Sequence, residues 1–147
     1  MITYKQGNIL DVEEGVIIHG CNAQGVMGSG VALALRNAYP SVYDGYIRTK
    51  NYMGLRLGSV SIVNVTPKLK VVNLISQEFY GRDSLVQYVD YDAIKEGFRK
   101  AYNHLLPHNP KIHIPKIGSG LGGGDWDIIS KIIEEQMPTF DITCWTL

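Results

Sequence analysis

At 147 residues the chain suits a single unit spanning 1–147 that buries roughly two-thirds of the surface its unfolded form exposes. Its 14 acidic and 14 basic side chains cancel and no run of Lys or Arg occurs, which argues against a broad nucleic-acid or membrane footprint. Its two cysteines, Cys21 and Cys144, form no CxxC pair, and no apolar run suits a signal peptide or a membrane span, so a soluble cytoplasmic protein is expected.

Ile2 and Tyr4 open a first strand that runs into a turn at Gly7-Asn8. Asn8 there can read a base, or it can hydrogen-bond its own turn. Val16-Ile17-Ile18-His19 is a continuous β-branched run, as expected of a strand covered on both faces, and it delivers Cys21 and Asn22 to a glycine-rich segment ending at Gly28-Ser29-Gly30. Val31, Ala34, Leu35 and Ala38 then fall on one helical stripe, ended by Tyr39-Pro40. Ser41 with Asp44 predicts a capping box for a second helix, which should finish before Gly54.

Residues 59–65 and 70–75 read as two strands joined by a turn at Pro67, a hairpin. The segment Gln77-Glu78-Phe79-Tyr80-Gly81-Arg82-Asp83-Ser84 has no period and reads as a loop at the carboxyl end of the second of these strands. Such loops line ligand crevices in α/β sheets. Asp90 or Asp92 caps a helix whose stripe runs through Ile94, Phe98, Ala101 and Leu105 to Pro107. A strand over 111–117, a second glycine loop, a helix over 127–136 and a last strand over 140–145 complete the chain. Strands alternating with helices predict an α/β fold: a three-layer α/β/α sandwich around a mixed, largely parallel sheet.

Gly118-Ser119-Gly120-Leu121-Gly122-Gly123-Gly124 repeats the design of the first glycine segment, lying between a strand and a helix. Backbone N–H groups of such loops, together with the positive end of a helix dipole, favour bound phosphate. Two of them in one small domain suggest a diphosphate ligand. Gly118, Gly120 and Gly123 satisfy GxGxxG, yet too little chain follows to complete a dinucleotide fold. No Lys-Ser or Lys-Thr follows either loop, so a Walker site is excluded. Met27 stands where a cysteine phosphatase built on Cys21 would need Arg. His19, His104, His108 and His113 show no metal-ligand spacing, so neither a metal nor a cofactor is expected.

Taken together, Gly7-Asn8-Ile9, the run from Ile17 to Gly25, Met27 to Ala32, and Pro115 to Leu121 followed by Asp125-Trp126 resemble a macro domain. Within that family the chain is similar to the branch of ADP-ribose 1''-phosphate phosphatases and glutamate-directed ADP-ribosyl hydrolases. The resemblance implies ADP-ribose as ligand. It places Asn8 and Ile9 at the adenine, with Trp145 an aromatic neighbour. Gly28, Ser29, Gly30 and Val31 would hold the diphosphate from one side, and Ser119, Gly120, Leu121 and Gly122 from the other. Asn22 would meet the distal ribose.

Relatives that strip glutamate use a lysine after the middle strand, but no lysine occurs here between Lys70 and Lys95. Hydrolysis would then fall to Asp125 and His19 as acid–base candidates, with Asn22 beside them. Asp125 as a helix cap and His19 as a buried, hydrogen-bonded histidine are the structural alternatives. Tyr80 to Asp83 would form a lip, with Arg82 adding the charge that the glycine loops lack. The expected function is ADP-ribose binding with hydrolysis of ADP-ribose 1''-phosphate or a related ADP-ribosyl ester. The alternative is a non-catalytic reader of ADP-ribose or of an ADP-ribosylated protein.

Overall fold

The computed structural model describes residues 1–147. Six strands form one sheet: β1 (Ile2–Gln6), β2 (Gly15–Asn22), β3 (Val60–Thr66), β4 (Leu69–Gln77), β5 (Ile112–Ile114) and β6 (Ile142–Thr146), in the spatial order β1-β6-β5-β2-β4-β3. Every neighbouring pair is parallel except the β3–β4 hairpin at one edge. Four helices, α1 (Gly30–Ala38), α2 (Pro40–Met53), α3 (Tyr91–Leu105) and α4 (Trp126–Gln136), cover the two faces.

Alternation along the strands divides the core. Val16 and Ile18 on β2, with Val72 and Leu74 on β4, pack with Ile94 and Phe98 of α3 and Ile129 and Ile133 of α4. Ile17 and Cys21, with Val71 and Ile75, pack on the opposite face with Leu35 of α1 and Val42 and Tyr46 of α2. This period-2 split inside continuous apolar runs is what a doubly covered parallel sheet requires. No helix is long and apolar enough to cross a membrane.

Several predicted boundaries change; the last strand, for one, starts at Ile142 and not at 140. Helix α2 begins at Pro40 with Tyr39 as its N-cap and no side-chain capping bond, so Ser41 and Asp44 form no capping box. Proline presets the first helical φ and needs no N–H there. Strand β5 ends at Ile114 instead of 117, because Pro115 has no N–H to give to the ladder. Asp90, not Asp92, caps α3, accepting from Ala93 N at 2.9 Å.

Candidate active site

The first glycine loop is organised by Asn22. Its Oδ1 accepts from Gln24 N at 3.0 Å and Val26 N at 3.3 Å, and its Nδ2 donates to Val26 O at 2.7 Å. Buried Tyr46 closes the turn from below, donating to the Asn22 backbone carbonyl at 2.5 Å and accepting from Gly25 N at 3.0 Å. Burial pushes the Tyr46 hydroxyl well above its usual range, so it stays protonated. The loop ends at Ser29, the N-cap of α1, whose side chain makes no capping bond. The first-turn N–H groups of α1 have no helical acceptor, and no acidic residue stands in that turn to occupy them.

The second loop closes on itself. Gly118 and Gly123 adopt φ of 75° and 72°, and Gly124 N donates to Gly118 O at 2.7 Å. A third segment, 77–90, ties the two together. Ala23 N donates to Gln77 O at 2.9 Å on one side, and Tyr88 N and Val89 N donate to Gly122 O at 2.8 and 3.0 Å on the other.

Between these loops, at the carboxyl ends of β2, β4 and β5, lies a cleft of two contiguous cavities. The smaller, about 210 Å³, is lined by Gly30 and Val31 from the start of α1, by Lys116 and Gly118 after β5, and by Gly120 and Gly122. The larger, about 600 Å³, is lined by Asn22, Val26, Gly28, Gln77, Tyr80, Gly81 and Arg82. Gly20, Ser29, Ala32, Gln77 and Leu121 border both. Two cations, Arg82 and Lys116, line the cleft, and no carboxylate does. The electrostatics favour an anion.

The cleft thus brings together Asn22, Gly28, Ser29, Gly30, Val31, Gly120, Leu121 and Gly122 of the predicted set. Ser119 lines neither cavity, and its Oγ donates to Lys116 O at 2.9 Å. Asn8, Ile9 and Trp145 gather beyond both cavities, at the β1–β6 end of the sheet. Asn8 Oδ1 accepts from Leu10 N at 3.0 Å and caps its own turn, and Ile9 is buried in the core. The Trp145 indole packs against Gly7, 3.0 Å from where a Cβ would lie, and donates to His113 Nδ1 at 3.0 Å.

The two acid–base candidates sit differently with respect to the cleft. Asp125 is exposed, caps α4 by accepting from Asp127 N at 2.9 Å, and lines neither cavity. Its carboxylate occupies the N-terminus of α4, so the open helix end at the cleft belongs to α1 alone. Asp125→Ala should remove a cap worth about 1 kcal/mol. It should lower Tm by about 3 °C, as thermal melts of the two proteins would measure. His19 reaches the edge of the smaller cavity but is 1% exposed, and its Nε2 lies 2.6 Å from Asn73 Oδ1. Burial lowers its pKa to about 4, against the raising effect of the Asn73 bond. The ring is neutral at pH 7 and held by Asn73.

Gln77 and Lys116 also line the cleft; Gln77 opens the segment expected at a ligand crevice, whereas Lys116 was not singled out from the sequence. Gln77 ends β4 and Lys116 follows β5 by two positions, which is where open α/β sheets place ligand contacts. Their position was the available signal.

A mixed α/β sandwich with two backbone-rich loops meeting over the carboxyl ends of its parallel strands defines a macro domain. The family description "Macro domain" matches residues 18–133, and the chain belongs to that family. A solved structure of a protein from Bacteroides thetaiotaomicron superposes with a TM-score of 0.89 at 32% identity over the whole of both chains. The ADP-ribose 1''-phosphate phosphatase of Saccharomyces cerevisiae is 26% identical over 175 residues, covering 99% of this chain and 98% of its own length. The DNA ADP-ribosyl glycohydrolase of Thermus aquaticus is 23% identical over 145 residues, and the chain spans 39% of that protein's length.

Proposed function

We propose that the chain is one macro domain that binds ADP-ribose and hydrolyses ADP-ribose 1''-phosphate or a related ADP-ribosyl ester. The observation that carries this reading is a single cleft between two glycine loops, lined by Arg82 and Lys116 and by no carboxylate. The uncapped first turn of α1 offers N–H donors to a diphosphate from one side, and the loop at Gly120 and Gly122 encloses it from the other. One N–H of Asn22 Nδ2 is committed to Val26 O, which leaves the other for the distal ribose. The near-full-length likeness to a yeast protein named ADP-ribose 1''-phosphate phosphatase supports the choice of substrate. Two free, buried cysteines support a reducing, cytoplasmic setting.

With Asp125 outside the cleft and His19 neutral and engaged, the reaction must draw on positioning. Water adds at the anomeric carbon as its bond to the phosphate oxygen breaks. The phosphate takes the bonding pair, and the water proton passes to a phosphate oxygen, giving ADP-ribose and inorganic phosphate. Incubation with ADP-ribose 1''-phosphate should release phosphate faster than the cleft-blocking variant Gly120→Glu does. The lack of an ionised side chain to act as base favours a second reading, a non-catalytic reader of ADP-ribose or of an ADP-ribosylated partner. Calorimetric binding of ADP-ribose with no phosphate release above that variant would establish the second reading and reject the first.

A further inference from the structure

The order of the sheet gives the cleft a direction. Asn8 and Trp145 stand at the β1–β6 end, the smaller cavity spans the ends of β5, β2 and β4, and the larger lies over β2 and β4 with the lip at Arg82. With the adenine at the β1–β6 end, as the resemblance implies, and the diphosphate between the glycine loops, whatever is attached beyond the distal ribose reaches the larger cavity. There the charged lining residue is Arg82.

Arg82 is carried by a braced segment. On its N-terminal side, Gln24 Nε2 and Ala23 N both donate to Glu78 O, at 3.0 and 3.2 Å, fixing the segment to the first loop. On its C-terminal side, the bonds of Tyr88 and Val89 to Gly122 O fix it to the second. Gly81 packs so closely on Tyr88 that a Cβ there would overlap the phenol. Nothing neutralises the guanidinium. The ion pairs of the chain are Lys68–Glu14, Arg99–Glu96 and Lys100–Glu96, and the neighbouring Asp83 turns its carboxylate to Leu85 N at 2.9 Å.

We propose that Arg82 is the specificity-determining residue of this site, selecting ADP-ribosyl ligands that carry an anionic group on the distal ribose over those with an uncharged terminus. This rests on the ADP-ribose reading above and adds which derivative is preferred. A planar guanidinium with no internal partner presents paired donors that match phosphate oxygens, and in a cleft without carboxylates no competing acceptor holds it. The terminal phosphate adds charge close to −2 near neutral pH, so its recognition is steep in charge and screened by salt.

The test is calorimetric titration of the full chain with ADP-ribose and with a non-hydrolysable phosphonate analogue of ADP-ribose 1''-phosphate, at low and at high salt. Wild-type protein should bind the phosphonate at least about tenfold more tightly, with the ratio shrinking as salt rises. Arg82→Gln should bring the ratio close to one, Arg82→Lys should restore part of it, and Arg48→Gln, on α2 away from the cleft, should keep it. A wild-type ratio near one, or an Arg82→Gln ratio equal to wild type, overturns the assignment while leaving ADP-ribose binding in place. Failure of both ligands to bind overturns the functional reading itself.

Discussion

Gly120→Glu is expected to weaken ADP-ribose binding by roughly 100-fold or more while leaving Tm where it was. Like charges brought together across a binding site cost several kcal/mol, and each 1.4 kcal/mol is tenfold in Kd. The position separates binding from folding. A Cβ built on Gly120 meets no atom within 4 Å, and its φ lies outside the left-handed region that favours glycine. Yet Gly120 lines the smaller cavity between the loops. A carboxylate placed there puts a negative charge where the diphosphate should lie. Gly120→Gln, the neutral counterpart, should fall between, because it adds bulk without charge. Calorimetry and thermal melts on the three proteins check both halves. Unchanged affinity in Gly120→Glu would mean that the nucleotide sugar binds elsewhere.

Gly120 was visible in the sequence, as were Gly28, Gly30, Gly118 and Gly122, because a strand–glycine–helix order has a direct backbone meaning; Gly20, inside β2, and Gly81, in the lip, carry no such pattern. The elements were legible for the same reason. Buried runs such as residues 70–75 and the stripe through Ile94, Phe98 and Ala101 carry their periodicity on the surface of the text. What stayed hidden depends on pairing at a distance. His19 and Asn73 face each other across parallel strands 54 residues apart in sequence, a juxtaposition set by register. Asp125 posed a different problem. A carboxylate ahead of a helix suits both a cap and an acid–base role, which are not exclusive, and only the direction of α4 shows where that carboxylate lies relative to the cleft. The lip at Tyr80, Gly81 and Arg82 was legible as a loop, but the bonds bracing it, all to or from the backbone and only one of them from a side chain, Gln24, leave almost no residue signature.

His19 makes the fold acid-sensitive. Asn73 Nδ2 donates to Val42 O at 3.1 Å, which turns Asn73 Oδ1 toward the imidazole, so Nε2 of His19 carries the proton and donates. The ring is then neutral with its donor satisfied, and protonating Nδ1 would bury an uncompensated charge beside the Cys21 thiol, 3.9 Å away, whose own pKa burial pushes up. In the unfolded chain this histidine takes its proton near pH 6.5, whereas in the folded chain it does so only near pH 4. Acid therefore favours the unfolded state. The stability is complete above pH 6.5 and is lost progressively as pH falls to about 4. At about 1.4 kcal/mol per pH unit for one proton, the loss amounts to about 3 kcal/mol. His113 acts in the same direction. Its pKa is lowered first by burial and then by Lys111 and Lys5, against the hydrogen bond to the Glu14 carbonyl. Urea midpoints measured from about pH 7 to about pH 4.5 should follow this fall. His19→Gln, which keeps an amide donor for Asn73 but does not titrate, should remove most of the slope. An unaltered slope in that variant would place the acid sensitivity in groups other than His19.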